Sequence, residues 1–286
     1  MPELAFTFPC HGAELIGILH PGAAQAPRGV LIVVGGPQYR VGSHRQFILL
    51  ARDLAGAGIP VLRFDYRGMG DAGGEAVDFE HCDADIAAAV DAFYAHSPGL
   101  REVVIWGLCD AASAALLYAW RDPRVAGLVL LNPWVRTEAG ESKAFLKHYY
   151  LKRLFSAELW AKIRLGEFNV AESLRSLLGM VKRTFTPTLP ARTGGGAIPG
   201  DDDRSLPERM AAGLARFAGP VLLILSGNDL TAAEFKDTVA ASPLWGRLLR
   251  QSRITRRDLT AANHTFSRHE WRQQVMEWTL QCLCSW

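Results

Sequence analysis

Three short runs without polar interruption constrain this chain more than any other feature: residues 29–34 (GVLIVV), 125–131 (VAGLVLL) and 220–225 (PVLLIL). A strand half-exposed on a sheet alternates apolar and polar residues. One covered on both faces reads as a continuous apolar run. Between the runs lie longer stretches with helical spacing, such as 45–56, where Phe47, Leu50 and Leu54 fall at i, i+3 and i+7. Further strands are predicted at 59–64, 102–106 and 250–255, and further helices at 78–96, 111–120, 232–241 and 267–282. Residues 4–8 and 14–20 read as a leading hairpin turned at 9–12. Strands alternating with helices of this length imply βαβ units: an α/β chain with a mostly parallel central sheet flanked by helices.

The alternation stops at about residue 135 and resumes at 219. The predicted organisation is therefore a core of 1–134 and 219–286 carrying a helical cap, 135–218. Inside the cap, 143–155, 157–165 and 171–184 read as helices, and 187–204, rich in Pro, Gly and Asp, is expected to be mobile. From 136 to 183 the cap holds ten Lys/Arg against five Glu, interleaved with Tyr149, Tyr150, Leu151, Leu154, Phe155 and Trp160. The favoured reading is a solvated outer face over an apolar lid interior. Contact with a membrane or with an anionic substrate is the less favoured one.

Composition closes off several classes. A balance of 31 basic and 29 acidic residues lacks the basic excess of a nucleic-acid binder. Five cysteines without a CxxC pair suit neither a disulfide framework nor a zinc site. No basic leader, and no run of about 18 apolar residues, is present, so a cytoplasmic location with reduced thiols is expected. Neither GxGxxG opening a helix nor GxxxxGK[ST] occurs, and no cofactor and no metal is expected.

The chemistry gathers at element ends. Trp106-Gly107-Leu108-Cys109-Asp110-Ala111-Ala112 sits between a predicted strand and a predicted helix. It has the shape of the nucleophile elbow G-x-S-x-G, with Cys for Ser and Ala for the last Gly. Such a turn is tight, so the positions two before and two after the nucleophile must be small, as Gly107 and Ala111 are. The Asp110 N–H then lies at a helix N-terminus, where it can stabilise an oxyanion and where a thiolate is favoured. Ser226-Gly227-Asn228-Asp229 places an acid just after a strand, and Ala262-Asn263-His264-Thr265-Phe266 places a histidine before the last helix. Nucleophile, acid and histidine in that order make a candidate triad, Cys109, Asp229 and His264. Taken singly, each has a plain alternative: a buried small thiol, an Asx-turn, an exposed loop imidazole. The second oxyanion donor is expected from Gly35-Gly36-Pro37-Gln38; Pro37 has no N–H, which leaves Gly36 or Gln38. Arg40 and His44, a little further on, are weak candidates for binding an anionic group on a substrate.

The segment Phe64-Asp65-Tyr66-Arg67-Gly68-Met69-Gly70-Asp71 resembles the D-x-R-G-x-G-x-S stretch of the α/β-hydrolase superfamily, with Asp71 where Ser is common. Together with GGPQ, GLCDA, SGND and NHTFS, the resemblance covers 29–131 and 220–286, about 60% of the chain and none of the cap. It implies the α/β-hydrolase fold with a helical cap insertion. Cysteine at the elbow is similar to the dienelactone-hydrolase branch. The combination GGPQYRVGSHRQF, FDYRGMGD and GLCDAAS with a basic helical cap more closely resembles the exosortase A system-associated hydrolase 1 family. That resemblance implies a hydrolase or acyl-transfer role linked to exopolysaccharide and exosortase metabolism. Ala111, where the superfamily has Gly, is a departure.

A thiolate is a strong nucleophile and a good leaving group, so a tetrahedral adduct collapses backwards unless the departing group is also good. An activated ester, thioester or lactone is the expected substrate, cleaved through an acyl-thioenzyme. Acyl transfer by the same triad is an alternative. So are a catalytically silent scaffold that binds a ligand or partner and a redox-sensing Cys109 with Cys82, Cys282 or Cys284 as resolving thiol.

Overall fold

The computed structural model describes residues 3–36, 38–135 and 204–286. Eight strands form one sheet in the order β1-β2-β4-β3-β5-β6-β7-β8. They are β1 (Leu4–Cys10), β2 (Ala13–His20), β3 (Arg28–Val33), β4 (Val61–Asp65), β5 (Glu102–Leu108), β6 (Val125–Leu131), β7 (Val221–Asn228) and β8 (Ile254–Asn263). The leading hairpin pairs antiparallel and joins β4 antiparallel; every pairing from β4 to β8 is parallel. The three apolar runs lie inside this parallel block, where nearly every residue is buried, as two-sided cover requires. This is the α/β-hydrolase fold.

The helices are α1 (Gln46–Gly56), α2 (Asp83–His96), α3 (Asp110–Tyr118), α4 (Leu206–Arg216), α5 (Leu230–Ala241), α6 (Pro243–Leu248) and α7 (His269–Ser285). Phe47, Leu50 and Leu54 of α1 share a core cluster with Val275 and Leu283 of α7 and with Val30, Val104, Trp106 and Val129 of the sheet. The spacing that marked α1 as helical is thus the face it buries. Arg28 on β3 fastens the end of α7: it donates to the Leu283 carbonyl at 2.5 Å and the Trp286 carbonyl at 3.0 Å while bonding Glu102 at 2.7 Å. A cation there satisfies carbonyls that a helix end leaves unpaired.

The chain divides into two compact units, Met1–Val135 with Pro207–Trp286, and Arg136–Leu206. The second boundary differs from the expected 218/219, because most of α4 belongs to the core unit. Met210, Ala211 and Leu214 are buried, and a Cβ at Gly213 would stand 2.0 Å from the Leu116 carbonyl oxygen, so that glycine admits α3 at close range. The predicted cap helices, its basic surface and the 187–204 stretch up to 203 lie outside the described residues.

Other differences have local causes. β8 runs well past the predicted 250–255, because an edge strand with Arg256, Arg257 and Asp258 toward solvent does not show as an apolar run. α2 starts at Asp83 rather than 78: the Asp78 carboxylate accepts the Glu80 N–H at 2.9 Å and holds a turn ahead of the helix. The short α6 was unforeseen, although Ser242 caps it and Pro243 opens it. Among the described residues, no helix is long and apolar enough to cross a membrane.

Candidate active site

β3 lies between β4 and β5, so the chain order reverses there, and the parallel strands direct their C-terminal ends to one edge. Loops leaving that edge at such a switch point are where α/β sheets place their sites. Cys109 follows β5, Asn132 follows β6, Asp229 follows β7 and His264 follows β8.

Cys109 is half-buried, with φ 65° and ψ −125°, and opens α3. A non-glycine residue in this region is strained and persists only where its surroundings hold it. Here its N–H donates to the Leu131 carbonyl at 2.9 Å, and its carbonyl accepts from Trp134 N–H at 3.2 Å. The tightness expected of the turn is real. A Cβ at Gly107 would lie 2.6 Å from the Ala111 carbonyl oxygen, and Ala111 itself is fully buried.

His264 Nδ1 lies 2.9 Å from Asp229 Oδ2. Asp229 is also the N-cap of α5, accepting from Thr231 N–H at 3.2 Å and Ala232 N–H at 3.1 Å. One carboxylate thus both caps α5 and bonds the His264 ring. Burial alone would raise this carboxyl, but the His264 hydrogen bond and charge and the two helix N–H groups outweigh it, and its pKa lies below the ordinary carboxylate value.

Sequence reasoning passed over Asn132. It is fully buried, with φ 44°; its Nδ2 donates to the His264 carbonyl at 3.1 Å and its Oδ1 accepts the Ser226 N–H at 2.9 Å. One side chain thus ties together the loops that carry His264 and Asp229. An Asn closing an apolar strand, able to take a left-handed turn, was the available signal.

The expectation for the second oxyanion donor needs correction. The Gly36 N–H donates to Asp110 Oδ2 at 2.7 Å, and the Gln38 N–H donates to the Gly36 carbonyl at 2.8 Å. Both are taken up inside the protein. The cause is the acid beside Cys109: the Asp110 carboxylate also accepts Ala111 N–H at 2.9 Å and lies where any Gly35 side chain would be. Burial pushes the Asp110 carboxyl above its usual range, opposed by these N–H donors and by the His264 charge.

Arg40 also differs from its expected role. Its N–H donates to Asp65 Oδ1 at 2.6 Å, and its guanidinium pairs with fully buried Asp65 and with Asp71, the latter at 2.7 Å. Burial opposes that charge, but Asp71 and Asp65 outweigh it and hold the guanidinium above its ordinary pKa. Arg40 clamps the loop after β3 to the loop after β4 instead of facing a substrate anion. His44, the other weak candidate, is exposed on the turn entering α1, with φ 54°. Among the described residues, no group of three or more His, Cys, Asp or Glu is placed to hold a metal ion.

Comparison with known proteins agrees with this architecture. The esterase PF2001 of Pyrococcus furiosus superposes with a TM-score of 0.66 at 14% identity, over 100% of this chain and 91% of that one. An alpha-beta serine hydrolase homologue from Coxiella burnetii superposes with a TM-score of 0.60 at 15% identity, over 99% and 98%. The alpha/beta hydrolase GrgF from a Penicillium species gives 0.61 at 16%, over 100% and 97%. No curated protein sequence matches. The family model described as serine aminopeptidase, S33, matches residues 25–180, more than half of the chain and including the elbow. With the eight-stranded sheet and the elbow after β5, that match makes this chain a member of the serine aminopeptidase S33 family of α/β hydrolases, with Cys109 at the elbow.

Proposed function

We propose that this protein is an ester- or thioester-cleaving hydrolase in which Cys109 is the nucleophile, His264 the general base and Asp229 the group that orients it. The observation that carries the reading is the 2.9 Å bond from His264 Nδ1 to an Asp229 carboxylate already fixed by α5, at the same sheet edge as the strained elbow.

In this mechanism Asp229 holds the proton of His264 on Nδ1, which leaves Nε2 to accept the thiol proton of Cys109. Sγ attacks the acyl carbon, and the Asp110 N–H, at the start of α3, donates to the developing oxyanion. The imidazolium protonates the leaving group as the adduct collapses to an acyl-thioenzyme. His264 then takes a proton from water, which attacks the thioester, and the thiol is restored. An acceptor alcohol or amine in place of water would make the same intermediate an acyl donor. Because thiolate is itself a good leaving group, activated acyl compounds are the substrates this chemistry favours. The resemblance of GGPQYRVGSHRQF, FDYRGMGD and GLCDAAS to the exosortase A system-associated hydrolase 1 family supports a place in exopolysaccharide- and exosortase-linked metabolism.

The test is intact-protein mass after brief mixing with a series of p-nitrophenyl esters. An acyl adduct with a burst of nitrophenol in the wild type, absent from Cys109→Ala, is expected. His264→Ala should leave the burst slow and the adduct long-lived. Turnover that survives Cys109→Ala would remove the assignment. Folded wild-type protein with neither adduct nor turnover would favour the silent scaffold.

A further inference from the structure

The Asp110 carboxylate is held differently from the buried aspartates of this protein. Asp65, Asp85 and Asp122 are buried, and each pairs with an arginine: Arg40, Arg67 and Arg124. Asp110, half-buried at the elbow, holds backbone N–H groups instead, Gly36 at 2.7 Å and Ala111 at 2.9 Å. Among the described residues, no Lys, Arg or His forms an ion pair with it. N–H donors stabilise a carboxylate but leave its full charge in place. The loop after β3 is seated against the elbow on the same group. A Cβ at Gly35 would lie 2.0 Å from Asp110 Oδ1 and 2.7 Å from the Leu108 carbonyl oxygen. Two hydrogen bonds and this close approach fix the charge where it stands.

Chain geometry alone keeps that charge near the thiol. Neighbouring Cα atoms are about 3.8 Å apart, so the Asp110 carboxylate and Cys109 Sγ lie within about 10 Å of each other. The other described charges at this sheet edge do not offset it. His264 is bonded to Asp229, so a protonated ring cancels only that carboxylate. Arg40 is shared between Asp65 and Asp71, which together outnumber it.

We infer that Asp110 is a specificity-determining residue: its fixed charge turns away acyl groups that carry a negative charge near the reacting carbonyl, and the site takes uncharged ones. The inference rests on the reading of Cys109 as the attacking thiol. The developing oxyanion has the Asp110 N–H to receive it whatever the acyl group is, whereas a second negative charge on the acyl chain has no such donor. At this separation, in a half-buried setting, repulsion between like charges slows an anion about tenfold, and salt weakens the effect.

Iodoacetate and iodoacetamide both alkylate thiolate but differ by one negative charge. The ratio of their rates therefore reads the local field and cancels the fraction of thiolate. The whole protein is treated with each at about pH 8, well above the ordinary carboxylate range, because burial pushes the Asp110 carboxyl up. Alkylation is followed peptide by peptide by mass spectrometry, with the exposed Cys284 of α7 as reference in the same molecule. At low salt the iodoacetate-to-iodoacetamide ratio should be about tenfold lower at Cys109 than at Cys284. Asp110→Asn should raise it several-fold at Cys109 and leave it unchanged at Cys284. High salt should also raise it at Cys109 in the wild type, and this measurement decides if Asp110→Asn does not fold. On esters, mono-p-nitrophenyl adipate should show a lower kcat/KM than p-nitrophenyl hexanoate, and Asp110→Asn should narrow the gap. A Cys109 ratio equal to that of Cys284, or one that neither the variant nor salt moves, would overturn the inference. Failure of the underlying reading shows separately, as ester turnover that survives Cys109→Ala, and would overturn both.

Discussion

Asn132 and His264 are joined by a hydrogen bond from the Asn132 amide to the histidine's own carbonyl, at 3.1 Å. The other end of that amide accepts the Ser226 N–H at 2.9 Å, three residues before Asp229. The loops carrying Asp229 and His264 are thus gauged against one buried side chain just after β6. Asn132→Ala breaks both bonds and leaves the Ser226 N–H without its acceptor, at a cost of about 1–3 kcal/mol. The loss of kcat on a p-nitrophenyl ester should be tenfold or more, with KM little changed, because a positioning error of this kind acts on chemistry more than on binding. Thermal melting together with steady-state kinetics checks both parts. An unchanged kcat in a destabilised variant would show that Asn132 is purely structural.

Asp229→Asn tests the acid in both of its roles. The amide can still cap α5 through its oxygen, so stability should fall by no more than about 1 kcal/mol. It cannot hold the His264 tautomer, so the acylation rate should fall by several orders of magnitude. Single-turnover kinetics and a melting curve separate the two effects.

A carboxylate beside a thiol disfavours its thiolate, and Asp110 stands next to Cys109. Replacing Asp110 with Asn removes that charge, and the pH profile of Cys109 alkylation by iodoacetamide should move to lower pH by about one unit. A profile that stays in place or moves upward would count against an electrostatic influence of Asp110 on Cys109.

His20 carries a pH dependence that is independent of the site. It is buried, and Arg63 Nε donates to its Nε2 at 2.9 Å, which requires the neutral ring. Burial, with the Arg63 charge second, lowers its pKa from 6.5 to about 4. The unfolded chain therefore binds this proton first as pH falls. The stability in question is complete above about 6.5, is lost through the interval down to about 4, and is worth up to about 3 kcal/mol. His20→Gln should flatten the dependence of chemical-denaturation stability on pH between those limits. Equal slopes in the two proteins would contradict the assignment.

Gly107→Ala should damage the elbow more than its size suggests. The added methyl would sit 2.6 Å from the Ala111 carbonyl oxygen, so the turn or the start of α3 must shift. The expected result is a loss of about 2 kcal/mol or more, as for overpacking elsewhere in a core, together with loss of Cys109 acylation. Denaturant melts and the p-nitrophenyl ester burst measure the two.

The sequence by itself determined the parallel sheet, the elbow and the order of Cys109, Asp229 and His264. Two-sided burial leaves an apolar run, a tight turn demands a small residue such as Gly107, and helix caps have local signatures; all of these act within a few residues. Tertiary structure decided what depends on which loop meets which. Arg40 looked available in its own segment and is claimed by Asp65 and Asp71, 25 and 31 residues away. The Gly36 N–H looked free and is taken by Asp110 from the far side of the switch point. Asn132 gave only a weak local signal, since its partners lie 94 and 132 residues further along. The limits of β8 and the core membership of α4 escaped notice for a related reason. An edge strand and an amphipathic helix show their buried face only once the surface that covers it is known. Hydrogen bonds and close packing between distant segments are properties of the folded surface, and no short window of sequence contains both partners.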